Sequence, residues 1–170
     1  MKKKIELIGE STSVDIMGRI GVLTKVDTGA DTSSIWVSKI NMSRDNVLSF
    51  ALFGGGSPFY NGKIIKRTDY EVSVVRNASG TEQIRYRTHL SIVINGRKMK
   101  ALFNLSDRSN NNFPILLGKR TIRGKFIVDP SIRIARFPKI SATKGLRKEM
   151  AKDPYKFHKK YIKKSDSKVL

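Results

Sequence analysis

The sequence contains no cysteine and only two histidines, His89 and His158. Disulfide bonds, zinc–thiolate sites and thiol catalysis are therefore excluded, because each of them needs a cysteine sulfur. Neither histidine lies in a His-Glu-x-x-His pattern, so the sequence offers no histidine-based metal site either. We expect a protein that works without a metal ion or another cofactor.

Acidic residues are few, since 14 Asp and Glu stand against 34 Lys and Arg and give a formal net charge of +20. Such an excess of positive charge favours binding to nucleic acid, to another anionic surface or to an acidic partner protein. A basic surface that only keeps the protein in solution is the simpler alternative. The charge alone does not choose between them.

Long hydrophobic runs are also missing. The apolar segment after the basic N-terminal residues is only Ile5-Glu6-Leu7-Ile8, which is too short for the core of a secretory signal. No later run approaches the roughly 20 apolar residues of a membrane span. We therefore expect no membrane partner, and a location in the cytoplasm or in a particle assembled inside a cell, such as a phage virion.

Residues 5–134 alternate short apolar runs with Gly, Asn and Ser, a pattern typical of β-strands joined by turns. Asn95-Gly96 lies between two such runs and predicts a type I′ hairpin, because both central residues of that turn need a positive φ. A longer hairpin loop is predicted at Asn77–Gly80, and Gly54–Pro58 is predicted to be irregular. Together these patterns predict a mostly β domain over residues 1–137.

From residue 138 onward the chain becomes rich in lysine. Leu146 and Met150 are four residues apart, which suits one face of a helix, and Asp153-Pro154 resembles an N-cap followed by the first residue of a second helix. Residues 138–170 are therefore predicted to form a short, basic, α-helical extension, which either binds a polyanion or only aids solubility. The candidate polyanion-binding residues are Lys144, Arg147, Lys148, Lys152, Lys159, Lys160, Lys163 and Lys164.

The candidate catalytic motif is Val26-Asp27-Thr28-Gly29-Ala30. An apolar strand leads into Asp-Thr-Gly, and the glycine lets the chain turn sharply, so that the Asp27 carboxylate lies at a strand end among backbone N–H groups. A second apolar strand, Phe-Pro-Ile-Leu-Leu-Gly, follows later and ends at Gly118. Taken alone, Asp-Thr-Gly would equally fit an ordinary turn headed by aspartate.

Together these two segments resemble the signature of retropepsin-like aspartic proteases. A more detailed resemblance, from Leu7 to Ser131, is to the bacterial and phage family described as ATP-dependent zinc proteases and encoded near RimK-type glutamate ligases. It implies a closed retropepsin-like β barrel, here followed by the helical extension, whereas the sequence gives no support to the zinc and ATP of that description. The matching stretches are Lys25–Ser33, Val75–Arg85, Leu105–Arg108, Phe113–Arg120 and Val128–Ser131.

The resemblance implies an aspartic endopeptidase in which Asp27, Thr28 and Gly29 are catalytic. Because the chain has a single Asp-Thr-Gly and is too short for two lobes, a C2 homodimer would bring two Asp27 carboxylates together to activate water. The flap that covers the peptide or protein substrate would be the hairpin around residues 77–80 or, alternatively, Gly54–Pro58. Substrate contacts are implied for Ala30, Asp31, Asn77, Gly80, Arg108 and Gly118.

Two of these assignments have alternatives. Asp31 stands where the family usually has arginine, and it would pair with Lys119 or Arg120 as in viral retropepsins, or else be a turn residue at the surface. Arg108 would contact substrate or form a structural salt bridge.

A second hypothesis gives the whole chain a non-catalytic role. In it, the β domain is a scaffold in a structural or assembly protein, for example a virion component, and the basic extension binds nucleic acid or an acidic partner.

Overall fold

A computed structural model describes residues 4–76, 80–134 and 142–161. The chain divides into two compact units, Met1–Arg136 and Phe137–Leu170. The first unit is built from eleven described strands and one short helix, and the second contains two described helices. The strands are β1 (Glu6–Gly9), β2 (Ser11–Ile16), β3 (Arg19–Val26), β4 (Ser33–Met42), β5 (Leu48–Leu52), β6 (Ile64–Arg67), β7 (Glu71–Arg76), β8 (Glu82–Ile94), β9 (Arg97–Ser106), β10 (Ile115–Leu117) and β11 (Phe126–Asp129). The helices are α1 (Lys119–Ile122), α2 (Ala142–Lys152) and α3 (Pro154–Tyr161).

Six strands close into a barrel in the order β10-β3-β2-β8-β9-β4. The short strand β10 completes the ring, because it pairs in parallel with β3 on one side and antiparallel with β4 on the other. β5 and β6 continue outward from β4, and β7 pairs with β8. The predicted mostly β architecture, a closed barrel followed by short basic helices, is confirmed.

The barrel core is apolar and contains the side chains of Phe50, Phe53 and Phe103, all three fully buried. Strands with alternating inward and outward residues supply this core, since side chains at every second position point to the same face of a strand. The alternation is clear in β2, where Val14 and Ile16 are buried and Asp15 is partly exposed.

Turn chemistry follows the sequence prediction. Asn95 and Gly96 have φ values of 50° and 77°, the two positive values that a type I′ turn requires, and they join β8 to β9. Gly54–Pro58 lies in a segment of turns and bends, as predicted. The predicted loop at residues 77–80 connects β7 to β8, although residues 77–79 lie outside the described ranges.

β1 and β11 form a separate two-stranded parallel sheet in which Leu7 is paired with Ile127. Both side chains are more than half exposed, whereas their neighbours Ile8 and Phe126 point into the core. Residues 120 positions apart in the chain are thus brought together, and Leu7 and Ile127 present an apolar stripe at the surface.

The second unit contains the two predicted helices. Asp153 caps α3, because its Oδ1 accepts a hydrogen bond from the Lys156 N–H at 3.0 Å. Phe157 and Tyr161 lie one turn apart with ring centroids separated by 4.8 Å. Among the described residues, no helix is long and apolar enough to span a membrane.

Candidate active site

Asp27 is the first residue after β3, and its carboxylate is held by its own loop. Oδ1 accepts hydrogen bonds from the backbone N–H groups of Gly29 at 2.9 Å and Ala30 at 3.1 Å. Within the part of the chain that the structure describes, Oδ2 accepts no hydrogen bond and remains available to a water molecule or a second carboxyl group.

Backbone hydrogen bonds to β10 and to the residues that follow it hold the loop that begins with Asp27. The Asp27 N–H donates to the carbonyl of Leu117 at 2.9 Å. Beyond Gly118, the N–H of Lys119 donates to the carbonyl of Ala30 at 2.8 Å. The sequence pair Asp-Thr-Gly and Leu-Leu-Gly is therefore one structural unit, and its backbone hydrogen bonds set the position of the carboxylate.

Gly118 is buried where two backbone segments meet. A Cβ atom at this position would lie 2.6 Å from the carbonyl carbon of Thr32, closer than real Cβ contacts permit. Glycine is required here by the close approach of the chains, so the predicted role of Gly118 in substrate contact is joined by a clear role in assembling the loop.

Two buried hydroxyl groups complete this support, and the sequence analysis did not identify them. Ser33 Oγ accepts a hydrogen bond from the Gly118 N–H at 3.0 Å and lies 2.7 Å from Thr121 Oγ1. Both residues are at most 4% exposed. The available signal was the serine and threonine run directly after Asp-Thr-Gly, which matches the family motif but gives no indication of which hydroxyl points inward.

Asp31 forms an ion pair with Arg120, whose Nε lies 2.8 Å from Asp31 Oδ2. Of the two partners considered for Asp31, the structure selects Arg120. Both side chains are 57% exposed, so solvent screens the pair and its contribution to stability is small. The predicted contact of Asp31 with substrate stays a prediction.

The charge of Arg108 interacts with the carboxylate of Asp27. Burial lowers the pKa of the Arg108 guanidinium, the positive charge of Arg85 acts in the same direction, and the negative charge of Asp27 opposes both. Arg108 Nε donates to the carbonyl of Phe113 at 3.1 Å. The described residues contain no carboxylate within salt-bridge distance of Arg108. Arg85, on β8, was not singled out in the sequence.

The hairpin of β7 and β8 has two unlike faces. Ser73 is paired with Arg85, and its hydroxyl donates to Asn104 Oδ1 at 2.8 Å, so this face lies over the barrel. The opposite face carries Val72, Val74 and Ile84, which are 58%, 63% and 74% exposed.

The two segments predicted as alternative flaps have different surroundings. Arg85 brings the β7–β8 hairpin within electrostatic range of Arg108. Gly54, which begins the alternative segment, is instead packed against the indole of Trp36, where a Cβ atom would lie 2.7 Å from the ring.

The remaining predicted site residues fall into two groups. Thr28 and Gly29 are exposed beside Asp27, and Gly80 is exposed near the end of the β7–β8 hairpin. The cationic candidates of the extension belong to the second unit, where Arg147, Lys148, Lys152, Lys159 and Lys160 are exposed on α2 and α3. Asn77, Lys163, Lys164 and the side chain of Lys144 lie outside the described residues.

The donor set does not suit zinc. Across residues 4–76, 80–134 and 142–161, no group of three or more His, Asp or Glu side chains is placed to hold a metal ion, and the sequence has no cysteine. Zinc sites in proteins are built from such clusters of sulfur, imidazole and carboxylate ligands. The described residues therefore provide no such cluster beside Asp27.

Comparison with known proteins agrees with the geometry. Residues 7–139 match the family model "RimB-like", described as retropepsin-like aspartic endopeptidase RimB. A curated protein of Desulfotalea psychrophila, "Probable alpha-L-glutamate ligase", is 26% identical over 136 residues, which are 78% of this chain but only 29% of that protein. The chain thus spans less than a third of the length of this relative.

A solved structure shares the fold. Protein Lpg0085 of Legionella pneumophila, of unknown function, is similar with a TM-score of 0.60 and 19% sequence identity. The similarity covers 76% of this chain and 96% of the Legionella protein.

Replacing Gly118 by alanine should destabilise the protein by about 1–3 kcal/mol or more, because the added methyl group must displace the Thr32 backbone. Gly55→Ala is the matched control, since a Cβ atom at Gly55 meets nothing within 4 Å. Urea unfolding followed by circular dichroism measures both variants. Equal midpoints for the two variants would contradict the close packing at Gly118.

Proposed function

Because this chain belongs to the RimB-like family of retropepsin-like aspartic endopeptidases, we propose that it hydrolyses peptide bonds with two Asp27 carboxylates supplied by a homodimer. The observation that carries the proposal is the fixed position of Asp27, whose Oδ1 accepts two backbone N–H groups while Oδ2 faces no described donor. A C2 axis beside this loop would place the two free oxygens together, where one shared proton offsets the repulsion between like charges.

The proposed reaction needs the two carboxyl groups in different protonation states. The ionised Asp27 takes a proton from water, and the water oxygen attacks the carbonyl carbon of the scissile bond. The protonated Asp27 of the other copy donates its proton to the carbonyl oxygen as charge develops there. When the tetrahedral intermediate collapses, the carbon–nitrogen bond breaks and the leaving nitrogen takes the proton that water had lost. One hydroxyl of the intermediate returns its proton to the second Asp27, which forms the product carboxylic acid and restores both carboxyl groups to their starting states.

Exposed apolar residues next to this loop supply a surface for the dimer. Leu7 and Ile127 form a stripe on β1 and β11, and Ile132 and Ile134 are 40% and 57% exposed. The stripe is linked to the catalytic loop through Glu10, which accepts the N–H of Val26 and donates its own N–H to Ile132. A two-fold axis makes such a stripe cover its own copy, which removes apolar surface from water.

The basic surroundings of Asp27 favour an acidic peptide as substrate. The charge of Arg108 interacts with those of Asp27 and Arg85, and the chain as a whole has a net charge of +20. The relative named as a probable alpha-L-glutamate ligase points to glutamate-rich chains in the same way. In our proposal, Arg85 on the flap and Arg108 beside the loop bind substrate carboxylates and orient the scissile bond.

The scaffold hypothesis predicts a different behaviour of the same residues. It requires no reaction at Asp27 and no approach of two copies at this loop, so catalytic and oligomeric measurements on matched variants separate it from the peptidase.

Asp27→Asn should lower the rate of peptide cleavage by about 10²- to 10⁴-fold, because an amide replaces the group that transfers protons. The measurement is digestion of glutamate-rich and neutral peptide libraries between acidic and neutral pH, read by mass spectrometry. Circular dichroism and sedimentation confirm that the variant is folded and keeps the wild-type size. Folded, dimeric wild-type protein that cleaves no peptide would support the scaffold hypothesis instead.

Leu7→Lys should weaken the dimer and reduce activity at low protein concentration, because two ammonium groups would be buried against each other at the two-fold axis. Ile20→Lys is the control, since Ile20 is 79% exposed on β3 and lies outside the stripe. Analytical ultracentrifugation gives the dissociation constant of each variant. A dimer that tolerates Leu7→Lys as well as Ile20→Lys would rule out this interface.

Arg85→Gln should raise KM for an acidic peptide about tenfold or more and change KM for a neutral peptide little, because a charge-assisted hydrogen bond is lost. Arg76→Gln is the matched control on the same hairpin: Arg76 pairs with Glu82 on the opposite face. Steady-state kinetics on two peptides that differ only in Glu and Gln tests the prediction. Equal effects of both substitutions would assign the specificity to net charge rather than to Arg85.

A further inference from the structure

The helical hairpin of α2 and α3 uses its acidic residues internally. Glu149 accepts hydrogen bonds from Lys160 Nζ at 2.6 Å and from Tyr161 Oη at 2.9 Å. These two hydrogen bonds lower the pKa of Glu149, which therefore stays ionised and engaged within the hairpin. Asp153 caps α3 and also lies 3.5 Å from Lys156 Nζ. Neither carboxylate is left to neutralise the remaining cations.

Three of those cations lie on α2. Arg147, Lys148 and Lys152 are exposed and take part in no ion pair with any residue that the structure describes. Lys148 and Lys152 are four residues apart and so lie on the same side of the helix, with Arg147 next to them. Uncompensated positive charge is concentrated on this surface, whereas Lys156 and Lys160 are paired with Asp153 and Glu149.

An aromatic ring is exposed in the same hairpin. Tyr155, at the start of α3, is 68% exposed, and Lys159 Nζ lies 4.6 Å from its ring centroid. Phe157 and Tyr161 pack against each other instead. An exposed ring of this kind is a platform on which an unpaired base can stack, and a neighbouring lysine can contact the adjoining phosphate.

We propose that this hairpin is a docking surface for single-stranded nucleic acid. Arg147, Lys148 and Lys152 contact phosphates, and Tyr155 stacks with an unpaired base. An acidic polypeptide would use the same cations, yet it has no flat base to occupy the tyrosine ring. The surface is independent of Asp27, so it stands or falls separately from the proposed peptidase activity.

The experiment uses the full chain and labelled oligonucleotides of about 20 nucleotides, as single-stranded RNA, single-stranded DNA and duplex DNA. Binding is measured by fluorescence anisotropy between about 50 and 200 mM salt, where each phosphate contact contributes about 0.7 to the slope of log K against log salt. Changing Arg147, Lys148 and Lys152 together to alanine should reduce that slope by about 2. A preference between RNA and DNA then identifies the source of the strand.

The matched control changes Lys66, Lys98 and Lys100, which are exposed on β6 and β9 of the first unit, to alanine. It removes the same charge, so binding that is unchanged in the control supports a specific surface on the hairpin. Tyr155→Ala should weaken the binding of single strands about tenfold and change the binding of duplex DNA little. Tyr155→Phe should bind single strands as the wild type does, because the aromatic ring is kept.

Three results would overturn the proposal. Equal losses in the two triple variants would show attraction to overall charge only. Poly-glutamate is added as a competitor at the same charge concentration as the oligonucleotide. If it displaces the oligonucleotide equally well from the wild type and from Tyr155→Ala, the surface is a site for acidic proteins. Wild-type protein that binds no single strand at 50 mM salt would remove the surface altogether.

Discussion

The position of the Asp27 loop depends on one short strand. β10 has only three residues, yet it pairs with both β3 and β4, closes the barrel and supplies the carbonyl that receives the Asp27 N–H. The backbone directly after it passes so close to Thr32 that only glycine fits at position 118. The position of the carboxylate is therefore set by main-chain geometry rather than by the exposed side chains around it.

Charge is distributed unequally over the two units. In the first unit, the partly buried Arg108 interacts electrostatically with both Asp27 and Arg85. In the helical hairpin, Glu149 pairs with Lys160 and Asp153 caps α3. A small group of cations therefore has no ionic partner among the described residues. Our two proposals use these cations separately, the first for an acidic peptide substrate and the second for a single strand of nucleic acid.

The parts of the structure that depend on neighbouring residues were predictable from the sequence. Asn95-Gly96 and the Asp153 cap are examples, because turn type and helix start are decided within a few residues. The Asp27 loop followed from the family resemblance. The pairing of Leu7 with Ile127 could not be predicted, since no local pattern specifies a parallel partner so distant in sequence. Arg85 was not singled out, because the sequence does not show that the fold brings its charge within range of Arg108.

The outer face of the β7–β8 hairpin has a consequence for the behaviour of the protein in solution. β7 pairs only with β8 among the described strands and exposes Val72 and Val74, so its other edge offers a template for strand addition. At low ionic strength, mutual repulsion between chains of net charge +20 keeps such edges apart. Added salt shortens the range of that repulsion to about 3 Å at 1 M. The colloidal stability of the protein therefore decreases as salt is added, and concentrated stocks keep best in dilute buffer.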